Sequence, residues 1–205
     1  MTEPMTRRRQ RAAATAEQLL SAARGVFESK GYRAATVGAI TEAANTAHGT
    51  FYLYFRNKED AFGKVMAEVI EELYRQTGAS WSGDPRATLT AAMRGFLDVY
   101  RAHRGLWRCV LEGMHQSERV ERLWLDLRRP FVERIARNLA RLVEAGEIRP
   151  MNTAVAAHAL GSMVEWFAFA HFELEEPAPS DVSFDAVVET LADLWHHAVY
   201  GVTPH

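Results

Sequence analysis

Residues 36–62 read TVGAITEAANTAHGTFYLYFRNKEDAF, and the fold is decided in this stretch. Thr36 is a capping residue, and Val37, Ile40 and Ala44 follow at a spacing that sets them on one helical face. Asn45 stands where a residue tolerant of positive φ is wanted between two helices. A short helix from Ala47 to about Phe55 comes next, with Phe51 and Phe55 four residues apart as anchors on its inner side. Asn57 caps the helix after it. Two short helices around a tight turn, the second rich in Thr and Tyr, form the layout that places a helix in a DNA major groove.

Working outward, Thr15 with Gln18 makes a capping-box pattern, followed by an apolar stripe of Leu19, Leu20, Ala23, Val26 and Phe27 that Gly31 ends. Downstream, the helix capped by Asn57 should reach about Thr77. A break at 78–85 ends in Asp84-Pro85, a cap followed by proline at the first helical position. Further helices are expected to about His103, within Leu106–Met114, and over Ser117–Ala145, a stretch that ends at Gly146 and that Pro130 should kink or split. Thr153 to about Leu174 and Phe184 to Tyr200 complete the series, joined by an exposed acidic loop, Glu173–Asp181. The expectation is an all-α protein of about nine helices. It divides into a flexible basic arm (1–14), a helix-turn-helix domain (15–60) and a helical effector-binding and dimerisation domain (61–205).

Charge supports that polarity. Residues 1–60 carry nine Lys/Arg against six Asp/Glu and the remainder fifteen against twenty, although the whole chain is only −2. One end is therefore suited to phosphates. Arg7, Arg8, Arg9 and Arg11 precede the expected first helix and would add a salt-dependent contact along a backbone or minor groove. The single cysteine, Cys109, fits a reducing cytoplasm, and no apolar run is long enough to span a membrane. Catalysis is not expected, and neither is a cofactor. No HExxH, CxxC, GxSxG or P-loop pattern occurs, and the adjacent His196 and His197 diverge by about 100° on a helix, so no metal site is read.

Within the second short helix, Gly49 lets the backbone approach a sugar-phosphate strand, and Thr50 offers a hydroxyl near the helix start. Tyr52, Tyr54 and His48 can reach phosphates or base edges, and Lys58 sits in the first turn of the next helix. The run GTFYLYFRNKEDAF, preceded by GYRAAT and TVGAITEAAN, closely resembles the DNA-binding region of the tetracycline-repressor (TetR) family. That resemblance covers about Gln18–Phe62 and implies an all-helical homodimer on a palindromic operator in double-stranded DNA. It also implies contacts from Thr36, Thr50, Tyr54 and Lys58 to phosphates, with Ala47, His48, Gly49 and Tyr52 near bases. Gly38, where family members often carry a polar or basic group, and Asn45, in place of the usual turn glycine, depart from the pattern.

The remaining helices supply candidates for two further roles. Val155, Ala159, Leu160 and Val164, with Leu191, Leu194 and Trp195, form apolar faces suited to pairing with a second copy of the chain. Phe96, Tyr100, Trp107, Met114, Trp124, Phe131, Met163, Trp166 and Phe167 are candidates to line a cavity for a hydrophobic effector, with Arg108, Glu112, His158 and Glu165 as orienting groups. The resulting expectation is a ligand-responsive regulator, a repressor released from its operator by a small molecule. An activator of the same fold, or a small-molecule carrier with a vestigial DNA-binding domain, are the alternatives.

Overall fold

The computed structural model describes residues 7–78, 83–174 and 182–201, and among these it contains nine α-helices and no strand. They are α1 (Arg7–Ala34), α2 (Val37–Ala43), α3 (His48–Phe51), α4 (Lys58–Thr77), α5 (Pro85–Ala102), α6 (Arg104–Met114), α7 (Glu118–Glu144), α8 (Thr153–Glu173) and α9 (Phe184–Tyr200). Most of the boundary signals act as read. Thr36, Asp84, Asn152 and Ser183 cap their helices through side-chain oxygens, and Pro85 occupies the first turn of α5. Asn45 has φ 49°, and the amides of Asn45 and Thr46 return to the carbonyls of Glu42 and Thr41, which satisfies the end of α2.

Three expectations are corrected. Backbone helix extends back through the arm to Arg7, because Ala12–Ala14 and Ala16 favour it; residues 1–6 lie outside the described residues. Thr15 is consequently inside α1, where its hydroxyl donates to the Arg11 carbonyl instead of capping, and Gln18 donates to the Ala44 carbonyl at 2.8 Å. The helix following the turn is only four residues long, since the amides of Leu53 and Tyr54 bond three residues back and the chain turns into α4. Finally, α7 passes Pro130 as one helix. Pro130 and Asp126 are both exposed, so the carbonyl deprived of its partner faces water. The acidic loop read at Glu173–Asp181 falls outside the described residues from position 175 onward.

The chain forms two compact units, residues 1–69 with 105–124 and residues 70–104 with 125–205. The unit holding the helix-turn-helix is thus larger than 15–60: it includes most of α4, all but the first residue of α6 and the start of α7. Its core gathers Leu19, Phe27, Ile40, Phe51, Phe62 and Leu106, with Phe27, Tyr32 and Phe62 in mutual ring contact at 5.0–6.0 Å. Gly31 breaks α1 with φ 76°, and the amides of Tyr32 and Arg33 beyond it donate to the Glu112 carboxylate at 2.9 and 3.3 Å. Only glycine takes that φ without strain, and a Cβ there would lie 2.9 Å from the same carboxylate. Cys109 is buried and donates to the Phe27 carbonyl; burial pushes its thiol up to about 12, so it remains a protonated core group.

In the second unit α5 packs chiefly on α9. Arg86 of α5 reaches Asp193 and Glu189 of α9 at 2.8 and 3.1 Å, surface pairs that fix register more than they stabilise. Val188, Leu191, Ala192, Trp195 and Val199 of α9 are buried against this unit, and the Trp195 indole N–H donates to the Leu160 carbonyl of α8.

Candidate DNA-reading head and effector cavity

Thr36 holds α2 by accepting the Ala39 amide at 3.1 Å, which leaves its own O–H free to donate outward. Ala47, His48 and Gly49 are exposed, Thr50 and Tyr54 are half-buried, and Tyr52 is 54% exposed with its ring 5.6 Å from that of His48. Behind them Phe51 and Phe55 are buried, their rings 5.1 Å apart, so α3 is fixed from its inner side as the spacing demands. The turn after α3 is held by Lys64, whose ammonium donates to the Tyr54 carbonyl at 2.9 Å and lies over the Phe55 ring. Among the described residues Leu53, at 78% exposure, is the most exposed large apolar side chain. Its position in an aromatic-rich run gives no sign of which way it faces.

Lys58 has a structural task beside any phosphate. Its ammonium donates to the Tyr32 carbonyl at 2.9 Å and sits 4.2 Å from the centre of the Tyr32 ring. It therefore satisfies the carbonyl end of α1, as cations do at helix C-termini, and retains two N–H donors. Lys58→Met should lower stability by about 1–2 kcal/mol through loss of these contacts. DNA affinity should also fall uniformly across sequences, with a shallower salt slope. Urea unfolding and a salt titration of DNA binding separate the two effects.

The candidate cavity residues divide between the units. Trp107, Met114 and Trp124 lie in the unit with the reading head, where the two indoles meet edge to face at 5.5 Å. Trp166 is 63% exposed, Tyr100 stacks on Phe172, Phe167 stacks on His171, and Met163 is half-buried on α8. None of these lines the apolar cavity between α5, α7, α8 and α9 of the second unit. That cavity is walled by Thr77, Leu89, Ala92, Met93, Phe96, Phe131, Arg134, Ile135, Asn138, Gly161, Val164 and Trp195, so of the candidates it retains Phe96 and Phe131. The expected orienting groups lie elsewhere: Glu112 is spent on α1, and Glu165 and His158 meet Arg128, whose Nε–H is shared between the two Glu165 carboxylate oxygens at 2.8 and 2.9 Å. Burial raises the Glu165 carboxyl, with Arg128 opposing it.

The pairing candidates divide as well. Val155, Ala159 and Leu194 are exposed and Leu160 is half-buried, but Val164, Leu191 and Trp195 are buried within the chain's own unit. They close the monomer core because α8 and α9 are apolar on more than one face, and the inner face fills first.

Residues 19–65 match the family model described as bacterial regulatory proteins, tetR family, and residues 89–201 match the C-terminal domain of the transcriptional regulator EthR. The chain belongs to the TetR family of transcriptional regulators. Among curated relatives, the uncharacterized HTH-type transcriptional regulator YfiR of Bacillus subtilis is 27% identical over 143 residues, 65% of this chain and 68% of that protein. The fatty acid metabolism regulator protein of B. subtilis is 40% identical over 60 residues, 27% of this chain and 31% of that protein. The regulator YhgD of the same organism aligns over 29% of its own length. Solved structures agree over nearly the whole fold. FadR from Bacillus halodurans, a fatty acid degradation regulator, superposes with a TM-score of 0.70 at 21% identity, covering 88% of this chain and 94% of that one. The TetR-family regulator PfmR from Thermus thermophilus gives 0.65 at 22%, covering 86% and 96%. Among the described residues no helix is long and apolar enough to cross a membrane, and no cluster of His, Cys, Asp or Glu could hold a metal ion.

Proposed function

We propose that this regulator is a repressor that binds a palindromic operator as a homodimer and is released by a small apolar effector. The observation that carries the reading is that one chain holds both an exposed reading helix and, in a separate compact unit, an apolar cavity. A single helix-turn-helix gives modest affinity, and two copies about 34–36 Å apart read successive major grooves. In this reading Thr36, Thr50, Tyr54 and Lys58 hold phosphates, while Ala47, His48, Gly49 and Tyr52 lie along base edges. The copies pair through the exposed stripe Val155, Ala159, Ser162 and Trp166 of α8, which repeats at spacings of four, three and four, with Leu194 of α9. Among the relatives, two are named for fatty acid metabolism or degradation, which agrees with an apolar effector.

Coupling follows from selective binding: an effector that prefers the DNA-incompetent state about 100-fold contributes roughly 2.7 kcal/mol. The route is α4, which carries Lys58 at its start and Thr77, a cavity residue, at its end. Gel shift against DNA flanking the protein's own gene tests the reading. One retarded species with two symmetric half-sites protected, dissolved by an apolar ligand, is the expected result. No retention of any duplex at low salt would overturn it.

A further inference from the structure

The cavity walled by Phe96, Phe131 and Trp195 is apolar apart from Thr77, Asn138 and Arg134, and among the described residues that arginine meets no carboxylate. Arg134 of α7 lies half-buried between two rings, 4.8 Å from the centre of Tyr74 and 5.1 Å from that of Phe131. One of its nitrogens donates to the Thr77 hydroxyl at 2.8 Å, and that hydroxyl in turn donates a hydrogen bond to the Leu73 carbonyl at 2.7 Å. Among the described residues Arg134 makes no ion pair. Its neighbours on the same helix do: the Arg128 Nε pairs with Glu165, and Arg137 reaches Glu133. A guanidinium has five N–H donors and stays charged, so most of this one's capacity is unspent. The carbonyl end of α4 at Thr77 offers it a partial negative potential, but not a counter-ion.

One further feature points the same way. Away from Arg134, the cavity runs along Leu89, Met93, Phe96, Ile135, Val164 and Trp195, with no second charge. This apolar slot leaves about 520 Å³ unfilled, its open mouth included. A lining of this kind suits a hydrocarbon tail.

We propose that Arg134 is an anion-binding residue of the effector site, and that the effector is an amphiphilic carboxylate whose head pairs with Arg134 and Thr77 while its tail fills the slot toward Trp195. The inference rests on the reading of this unit as the effector-binding part of a regulator. Burial lowers the proton affinity of the guanidinium, as expected of a cation awaiting a partner. A carboxylate accepts two parallel bonds from it, which neither an alcohol nor an ammonium can do.

Calorimetric titration of the full-length protein with dodecanoate, dodecanol and dodecylammonium, each below its micellar concentration, tests this. Dodecanoate should bind at least about 10-fold more tightly than either of the others. In Arg134→Met that preference should vanish while dodecanol affinity holds, and Arg134→Lys should keep part of it. Circular dichroism reports whether the variants fold; if they do not, selectivity of the wild type decides alone. Equal affinity for dodecanoate and dodecanol, no saturable dodecanoate binding, or an undiminished preference in folded Arg134→Met overturns the assignment. Operator release is followed separately by gel shift. Release by uncharged compounds alone preserves the functional reading and sinks this site, whereas selective dodecanoate binding by a protein that ignores DNA does the reverse.

Discussion

Leu194→Glu is expected to give a folded monomer whose operator affinity is lower by about 100-fold or more. Leu194 is 52% exposed on α9, and a charge there meets water in the free chain, so the cost to the monomer should stay within about 0.5 kcal/mol. In a symmetric pair the same residue appears twice at one interface, and an uncompensated buried carboxylate costs about 3–5 kcal/mol per copy. Loss of pairing removes the second reading head, which in the dimer is presented at an effective concentration in the millimolar range. Light scattering after gel filtration gives the mass, and fluorescence anisotropy with an operator duplex gives the affinity. The contrast is Leu191→Ala. Leu191 is 4% exposed and faces the chain's own core, so truncation should lower stability by about 2–4 kcal/mol and leave a folded fraction that still pairs. A Leu194→Glu protein that remained dimeric would move the pairing surface elsewhere.

These two neighbours show what the sequence can and cannot reveal. Leu191, Leu194 and Trp195 all read as apolar helix positions, yet two face inward and one faces water. Periodicity reports that a face is apolar; which neighbour covers it depends on packing between segments far apart in the chain. Boundaries were legible for the opposite reason. Thr36, Asn45 and Asp84-Pro85 act on their own backbone within a few residues, so local chemistry suffices. Thr15 misled because a hydroxyl with Gln three residues on has the same pattern inside a helix, where it bonds back to Arg11. The candidate contact residues on and around α3 stand in a compact motif, but the supports of this helix-turn-helix are spread along the chain. Gln18 meets Ala44 across 26 positions, and Glu112 meets Tyr32 across 80. Arg134 likewise looks in sequence like any basic residue of an amphipathic helix. Its isolation becomes visible only once Tyr74, Thr77 and Phe131 are placed around it.

Gly49→Glu should separate DNA binding from folding most cleanly. Nothing in the free protein requires glycine at this position. Its φ is not in the left-handed region, it is exposed, and a Cβ built there would meet no atom within 4 Å. Glycine inside a helix is even a cost, about 0.5–1 kcal/mol relative to alanine. Its value must therefore come from what approaches it from outside, and in the proposed complex that is the DNA whose base edges lie beside His48, Gly49 and Tyr52. A glutamate would put both bulk and negative charge into that approach. Like charges brought together at an interface cost several kcal/mol, and the dimer meets the penalty twice, so operator affinity should fall by about 100-fold or more. Thermal stability should be unchanged or slightly higher, because an acidic group in the first turn of a helix is favourable. Gly49→Ala supplies the graded control, with a small gain in stability and a weaker loss of binding. Thermal denaturation and anisotropy on the same samples give both quantities. Wild-type operator affinity in Gly49→Glu would mean that the backbone of α3 does not approach DNA at this residue, and the contact assignments built around it would have to be redrawn.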